Sequence, residues 1–308
     1  MKPSHVASRT FLTVSSAEQA DQHRLVWAEL PADLHTPVRV FLALRAAHRE
    51  PCLLESAEGP ERLARYSFLA CDPSASLRGD SGAVQLQRKG ASTSVLALPV
   101  HEALRSVGAE DLLPAPPRAL PPFHGGWVGC FSYEWCGTLE PRVRAARERA
   151  GVSTEEAEAD FRFFPSVVAF DHAAQKITLL RRCPRGAAGH AEALTLLEAL
   201  AADLAAEPEP SGKFRLLDAE PTASMDRATY EEGVARLKHE IAQGEVFQAV
   251  LARRLTWRHE GDLFSLYRVL RLVNPAPHMF YFESEGRTLI GSSPERLVSV
   301  RGRVVQNR

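Results

Sequence analysis

The sequence has few cysteines and none of the spacings that usually give them a structural role. Its 308 residues include five cysteines, an odd number that argues against a disulfide framework. The sequence contains no Cys-x-x-Cys pair, which argues against a structural zinc site. Free, buried thiols in a reducing compartment are therefore expected at Cys52, Cys71, Cys130, Cys136 and Cys183.

Long apolar runs and an excess of one charge are absent as well. No stretch reaches the roughly 18–20 apolar residues that a membrane span requires, and residues 1–20 do not have the pattern of a signal peptide. The formal net charge of -1 favours neither nucleic acid nor an anionic membrane as a partner. The prediction is a cytoplasmic globular protein that binds neither of them.

Residues 1–20 are polar and are expected to be loose. Capping and turn signals divide residues 21–206 into short helices and strands. Thr36 before Pro37 predicts the start of a helix, and three glycines within residues 125–129 predict a bend where backbones pack closely. Helices are predicted at 37–48, 100–107 and 187–206. Strands are predicted at 52–56 and 65–71, with one hairpin over 76–97 that turns at Lys89 and Gly90 and another that pairs 164–171 with 176–182.

A linker is predicted at residues 207–225, because residues 207–212 read Glu-Pro-Glu-Pro-Ser-Gly. The second region, 226–308, begins with a helix capped by Asp226 and Gly244. After it we predict a long strand at 245–257, a helix at 263–273 and a hairpin that pairs 278–283 with 287–292. Such an order indicates the α+β fold class with antiparallel sheets.

The residues alone do not decide whether Glu295 and Gln248 have a chemical role. Glu295 follows an apolar strand, where it is either a partly desolvated acid or base or an ordinary surface residue. Gln248, inside the predicted strand, either contacts a polar ligand or faces outward. No Gly-x-Gly-x-x-Gly pattern, Walker lysine or His-Glu-x-x-His motif is present.

Six segments carry a family resemblance, in family order and at family-like spacing. They are Leu-Leu-Glu-Ser at 53–56, Arg-Tyr-Ser-Phe at 65–68, Gly-Gly-Trp-Val-Gly at 125–129, Ile-Ala-Gln-Gly-Glu-Val-Phe-Gln at 241–248, Asn-Pro-Ala-Pro-His-Met-Phe at 274–280 and Gly-Ser-Ser-Pro-Glu at 291–295. Together they resemble the chorismate-binding enzymes of the anthranilate synthase component I and aminodeoxychorismate synthase component I type. This resemblance implies antiparallel sheets packed as a sandwich with flanking helices.

Segments 53–56 and 274–280 look most like anthranilate synthase. The resemblance then implies conversion of chorismate and ammonia to anthranilate and pyruvate, with Mg2+ and with ammonia from a separate glutaminase subunit. Glu295 is the implied catalytic acid or base, and Gln248 is a candidate substrate-binding residue.

The resemblance also implies a feedback site for L-tryptophan. Glu55 and Ser56 would bind the amino acid, Arg65 and Tyr66 would border it, and a facing wall would be formed by Pro277, His278 and Met279. His278 stands where the family has a tyrosine, so the resemblance predicts the location of the site and not its affinity. Ala252 and Glu245 likewise replace a serine and an aspartate.

The family is expected to continue beyond residue 308 with a Pro-Ile-x-Gly-Thr segment. The Mg2+ ligands, a catalytic histidine and most chorismate contacts are expected there, so the fold would be incomplete at the C-terminus and the 308 residues inactive alone. Two alternatives remain: aminodeoxychorismate synthase component I of the folate pathway, and a non-catalytic tryptophan-binding fragment that pairs with a glutaminase.

Overall fold

The computed structural model describes residues 15–17, 24–57, 65–80, 82–110, 120–151, 157–184 and 186–307. The strands are β1 (Ser15–Ala17), β2 (Arg24–Pro31), β3 (Cys52–Glu55), β4 (Tyr66–Ala70), β5 (Ala75–Gly79), β6 (Val84–Arg88), β7 (Ser94–Leu96), β8 (Gly126–Phe131), β9 (Ala159–Phe164), β10 (Ser166–Asp171), β11 (Lys176–Cys183), β12 (Phe214–Leu216), β13 (Thr222–Ala223), β14 (Leu255–Thr256), β15 (His259–Gly261), β16 (His278–Ser284), β17 (Arg287–Ser293), β18 (Ser299–Arg301) and β19 (Val304–Gln306). The helices are α1 (Pro37–Ala47), α2 (Val100–Glu110), α3 (Cys136–Leu139), α4 (Pro141–Arg149), α5 (Ala187–Ala205), α6 (Arg227–Gln243) and α7 (Leu263–Val273), with a 3-10 turn at Tyr133–Trp135.

Two compact units divide the chain. One comprises Met1–Pro210 with Val269–Arg308, and the other is Ser211–Arg268. Residue 210 falls inside the predicted linker at 207–225, and this linker contains the short strands β12 and β13. The division of the chain into regions 21–206 and 226–308 stays a prediction.

Two antiparallel sheets form the first unit. The larger has eight strands in the order β1-β2-β11-β10-β4-β3-β16-β17, and the smaller has five in the order β7-β6-β5-β9-β8. The pairing of β3 with β16 joins residues that are more than 220 positions apart, since Glu55 lies opposite Met279. The predicted α+β class with antiparallel sheets is confirmed.

An apolar core lies on one face of the eight-stranded sheet and contains residues of both sheets. It includes Trp27 and Phe282 from the larger sheet and Phe164 from the smaller one. Because side chains alternate across a strand, the opposite face of the larger sheet is apolar too and packs against α1 and α5. On that face the ring of Phe41 meets Tyr281 edge-on, with centroids 5.1 Å apart. A second core packs α2 against the smaller sheet through Val100, Ala103 and Val107.

A buried charge network links the smaller sheet to the β16–β17 hairpin. Arg162 of β9 is paired with Asp160, and both side chains are at most 3% exposed. Arg162 Nη2 donates to Ser284 Oγ at 2.6 Å, and that hydroxyl donates to Asp160 Oδ2 at 2.7 Å. Arg287 reaches the same oxygen at 3.1 Å. The hairpin position therefore depends on polar groups as well as on apolar packing.

Several predicted elements are confirmed. Thr36 caps α1 by accepting a hydrogen bond from the Arg39 amide at 3.1 Å. Asp226 caps α6 in the same way, and Gly244 ends it in the left-handed conformation with φ of 82°. The hairpin of β16 and β17 also forms as predicted. Three cysteines are buried, but Cys130 and Cys136 are only half-buried, so that part of the thiol prediction is wrong.

The predicted strand at 245–257 is wrong. Only Leu255–Thr256 is a strand, paired with Thr222–Ala223. Within the described residues the segment 245–254 finds no partner strand, and an unpaired strand has no ladder to stabilise it. Phe247 is accordingly 96% exposed and Val250 86% exposed.

Three smaller predictions need correction. Residues 76–97 form two turns rather than one, because Asp80 Oδ1 accepts hydrogen bonds from the Gly82 and Ala83 amides and ends β5 early. The predicted glycine bend is strand β8, although the predicted close packing of backbones is confirmed, since a Cβ on Gly129 would clash with the Asp160 carbonyl oxygen. Ser15–Ala17, expected to be loose, pairs with β2. The rest of residues 1–20 lies outside the described residues.

No helix in the described part of the chain is both long enough and apolar enough to span a membrane.

His48, directly after α1, connects the end of α1 to the loop after β4 and to α5 through its ring. Its Nδ1 lies 2.7 Å from Asp72 and its Nε2 lies 2.9 Å from Asp203 of α5. Burial alone would lower the pKa of His48, but the hydrogen bonds to these two carboxylates outweigh burial and raise it. The protonated ring can donate to both carboxylates at once.

We expect His48→Gln to destabilise the protein in a pH-dependent way. A raised folded-state pKa gives stability that is fully present below the ordinary pKa near 6.5 and is lost as pH rises through the raised value. The loss should be about 1 kcal/mol at pH 5.5 and smaller at pH 9. Urea unfolding at both pH values measures it, with the exposed His239→Gln as control. An equal loss at both pH values would contradict the ion-pair assignment.

Candidate functional site

One end of the eight-stranded sheet collects most of the residues predicted to be functional. At this end β3 finishes at Glu55, β4 starts at Tyr66, β16 starts at His278 and β17 finishes at Ser293. Neighbouring antiparallel strands run in opposite directions, so the start of one strand lies beside the end of the next at the same end of the sheet. Segments that are far apart in sequence therefore lie side by side, and we call this the motif end of the sheet.

Glu55 is the buried charge of the motif end. Its side chain is 2% exposed, and its carboxylate lies 3.1 Å from Arg271 Nε, near the end of α7. A carboxylate in such a place requires a charged or hydrogen-bonding partner. The pair holds the Glu55 carboxylate in a defined position next to Ser56.

Ser56 has a buried hydroxyl without a hydrogen-bond partner within the described residues. The amide of the following residue, Ala57, donates to the Ala276 carbonyl at 3.0 Å. This contact brings segment 55–57 against 276–279. A buried hydroxyl that is unsatisfied is suited to a polar ligand group.

Pro277, His278 and Met279 form the opposite side of this contact. Met279 is 1% exposed and lies opposite Glu55, whereas Pro277 and His278 are half-buried. Partial burial and the nearby Arg296 guanidinium keep the pKa of His278 below its ordinary value. The ring is therefore neutral at neutral pH and presents an uncharged surface.

Arg65 and Tyr66 lie on the other side of β3. Arg65 Nη2 lies 2.7 Å from Asp171 Oδ2, and its guanidinium carbon lies 5.0 Å from the centre of the Tyr66 ring. Burial would raise the pKa of Asp171, but the hydrogen bonds from Arg65 lower it overall. Arg65 is thereby fixed at the border of the motif end.

Glu295 follows the last residue of β17 by two positions. Ser293, opposite His278, donates through its hydroxyl to the Glu295 backbone carbonyl at 3.1 Å. The Glu295 side chain is exposed. Gly291 of the same motif faces the Phe280 ring, and a Cβ there would lie 2.1 Å from Phe280 Cζ. The motif glycine is thus required for packing, and the glutamate is accessible.

Gln248 belongs to the unit Ser211–Arg268, where it is exposed and lies in the segment 245–254, outside any strand. Its predicted mid-strand position is wrong, because the expected strand has no partner among the described residues.

Four contributing residues were missed by sequence reasoning: Ser67, Asp171, His172 and Arg271. His172 Nε2 lies 2.8 Å from Ser67 Oγ. Burial lowers the pKa of His172, the negative charge of Glu55 opposes that shift and the positive charge of Arg271 adds to it. The sequence did contain one signal for Arg271. Phe264, Tyr267 and Arg271 follow one another at spacings of three and four, which places Arg271 on the buried face of α7.

The metal-ligand residues that lie close together in the described part of the chain do not suit Mg2+. They are His48, Cys71 and Asp72. A thiol and an imidazole do not suit Mg2+, which prefers oxygen ligands. Burial also raises the pKa of the Cys71 thiol strongly.

Comparison with known proteins identifies the family. A model of the chorismate binding enzyme family matches residues 49–308. The chain belongs to the chorismate-binding enzyme family. The predicted resemblance is confirmed, since similar curated proteins carry the name anthranilate synthase component 1.

Two of these relatives are about one third identical to the chain. The protein from Geobacillus stearothermophilus is 33% identical over 289 residues, which cover 88% of this chain and 56% of the relative. The protein from Streptomyces coelicolor is 33% identical over 308 residues, which cover 96% of this chain and 56% of the relative. The chain of this family member therefore spans little more than half the length of these relatives.

One solved structure supports the fold. Anthranilate synthase component I from Streptococcus pneumoniae TIGR4 superposes with a TM-score of 0.56 and 23% sequence identity. The match covers 80% of this chain and 54% of that chain.

Replacing Arg271 tests the buried charge of the motif end. We expect Arg271→Met to reduce the free energy of unfolding by roughly 3–5 kcal/mol, because it leaves the Glu55 carboxylate buried without that partner. The exposed Arg268→Met, one turn earlier on α7, should cost less than about 1 kcal/mol. Chemical denaturation measures both.

The double variant Glu55→Gln with Arg271→Met should recover part of the loss, since it removes the unpaired charge. If Arg271→Met and Arg268→Met cost the same, the pair does not stabilise the motif end.

Proposed function

We propose that this chain supplies the tryptophan-responsive part and one catalytic carboxylate of anthranilate synthase component I. The observation that carries the proposal is the assembly of segments 53–56, 65–66, 277–279 and 291–295 at one end of one sheet. A family relationship alone does not require them to meet. Their assembly supports a shared role for the residues in them.

The proposed reaction joins chorismate and ammonia to give anthranilate, pyruvate and water. Ammonia adds to the ring as the 4-hydroxyl leaves, and elimination of pyruvate then makes the ring aromatic. Glu295 would act near the ring as acid or base: as the acid, it would give a proton to the departing hydroxyl, which leaves as water. Its exposed side chain next to an ordered strand end is compatible with this role.

The partners follow from the same proposal. A separate glutaminase subunit would supply ammonia, and chorismate would be the substrate. Mg2+ would be held by residues that the family resemblance places beyond position 308, and it would stabilise negative charge on the substrate. A cytoplasmic location belongs to this proposal as well.

L-tryptophan is the proposed inhibitor, bound at the motif end. The buried Glu55 carboxylate suits its ammonium group, and the unsatisfied Ser56 hydroxyl suits a further polar atom of the ligand. Pro277, His278 and Met279 offer a largely apolar wall for the indole. Binding there would favour one arrangement of these segments over others, which is the physical basis of inhibition.

Tryptophan binding tests this site directly. Calorimetric titration of L-tryptophan into the chain should show one site, and Ser56→Ala should weaken binding about 10-fold, which is the effect of one hydrogen bond. Ser94→Ala, on the exposed strand β7, should leave the affinity unchanged. Absence of binding to the folded chain, or equal effects of the two substitutions, would contradict the proposed location.

An activity assay tests the catalytic part of the proposal. The 308-residue chain, mixed with chorismate, ammonium and Mg2+, should form no anthranilate above background, because the proposal assigns the metal ligands to positions beyond 308. Product fluorescence reports turnover. Measurable turnover would contradict this division of the catalytic groups, and release of aminodeoxychorismate would favour the folate-pathway alternative.

A further inference from the structure

Four side chains of metal-binding types meet where α1, β4 and α5 come together. His48 directly follows α1, Cys71 and Asp72 directly follow β4, and Asp203 belongs to α5. The ligand atoms of His48, Cys71 and Asp72 all lie within 4.8 Å of one another. Because the motif end is at Tyr66, where β4 starts, this cluster at the other end of β4 is a separate site.

Cys71 places a buried sulfur beside polar groups. Cys71 is 6% exposed and is not part of a disulfide, and within the described residues no hydrogen bond reaches its sulfur. Buried free thiols usually behave as small apolar groups, whereas this one lies close to an imidazole and a carboxylate. The charges of Asp72 and Asp203 act with burial to raise the pKa of the thiol, so the surroundings of the sulfur are negative and attract a cation.

Asp203 gives the His48 ring the orientation that a metal ligand requires. Its Oδ2 lies 2.9 Å from His48 Nε2, and the other ring nitrogen, Nδ1, lies 2.7 Å from Asp72 Oδ2. A histidine that binds zinc through one nitrogen commonly donates the N–H of the other to a carboxylate, which fixes the tautomer. With the proton on Nε2, the Nδ1 lone pair is directed toward Asp72 and Cys71.

Backbone contacts hold the two segments of the cluster together. The Arg49 amide donates to Asp72 Oδ1 at 2.8 Å, and the Asp72 amide donates to the Arg49 carbonyl oxygen at 2.9 Å. Zinc bonds of about 2.0–2.3 Å place tetrahedral ligand atoms roughly 3.3–3.6 Å apart. Side-chain movements of about 1 Å therefore bring the three ligand atoms to that spacing.

We propose that His48 Nδ1, Cys71 Sγ and one carboxylate oxygen of Asp72 bind Zn2+, with Asp203 as the carboxylate that orients His48. Zn2+ takes all three donor types, and a water molecule would complete the tetrahedron. Binding releases to solvent the thiol proton of Cys71 and the Nδ1 proton that a charged His48 ring carries. The bound ion would connect α1, β4 and α5.

The sequence gives no sign of this site, because its ligands are not arranged as Cys-x-x-Cys. His48 and Asp72 are 24 positions apart, and His48 and Asp203 are 155 positions apart. None of these residues belongs to the segments that carry the proposed function. The inference therefore does not depend on that function.

A cobalt titration of the 308-residue chain tests the site. The chain is first stripped of metal with a chelator, and Co2+ is the probe because a Co2+ ion bound to thiolate absorbs visibly. We expect one equivalent to give a thiolate-to-cobalt band, and Zn2+ to abolish that band because such a site binds Zn2+ more tightly than Co2+. Absence of the band, or its loss with Mg2+ as readily as with Zn2+, would overturn the proposal.

Matched substitutions assign the ligands. Cys71→Ser should abolish the thiolate band, whereas Cys136→Ser, at a half-buried thiol of α3, should leave the band and the affinity unchanged. Asp203→Asn should keep the band but weaken Co2+ binding about 10- to 100-fold, as expected for a carboxylate that orients a histidine ligand. Equal effects of the two serine substitutions, or an unchanged affinity of Asp203→Asn, would overturn the proposal.

X-ray absorption of the zinc-loaded chain needs no variant, so it decides the question even if Cys71→Ser does not fold. We expect one sulfur at about 2.3 Å from zinc and nitrogen and oxygen ligands at about 2.0–2.2 Å. A zinc shell with no sulfur, or with two, would overturn the assignment. Because none of these readouts is catalytic, a failure here is separable from a failure of the proposed function.

Discussion

The antiparallel pairing of β3 with β16 is the constraint on which the rest of the site depends. It places Leu54 opposite Phe280 and Glu55 opposite Met279. A shift of one residue would move every side chain of β16 to the other face. It would remove Met279 and Tyr281, which are at most 2% exposed, from the face that packs against α1, so the different packing on the two faces enforces the register.

Buried charges add direction to this apolar packing. The pair of Glu55 with Arg271 fixes one end of the β3–β16 contact, and the network around Asp160 and Arg162 fixes the hairpin at the other end. Apolar burial is non-directional, whereas hydrogen-bonded charges have preferred geometries. The two charge clusters thus define where the motif segments lie along the sheet, and the apolar faces hold them there.

Elements with strong local signals were predictable from the sequence. The α1 and α6 caps and the β16–β17 turn depend on a few adjacent residues, Thr36, Asp226, Gly244 and Gly286 among them. The segment 245–254 was not predictable, because its pattern suits a strand but a strand forms only where another segment pairs with it. Arg271 was missed for a related reason: its role arises from Glu55, 216 positions away.

Cross-strand nuclear Overhauser effects between β3 and β16 test the central claim most directly. In a deuterated, amide-protonated sample, the account predicts contacts between the backbone amides around Leu54 and Glu55 and those around Met279 and Phe280. It also predicts contacts between β3 and β4, so that β3 lies in the interior of the sheet. Contacts of β3 with β4 but none with β16, or a β16 register shifted by one residue, would contradict the shared location of the motif segments.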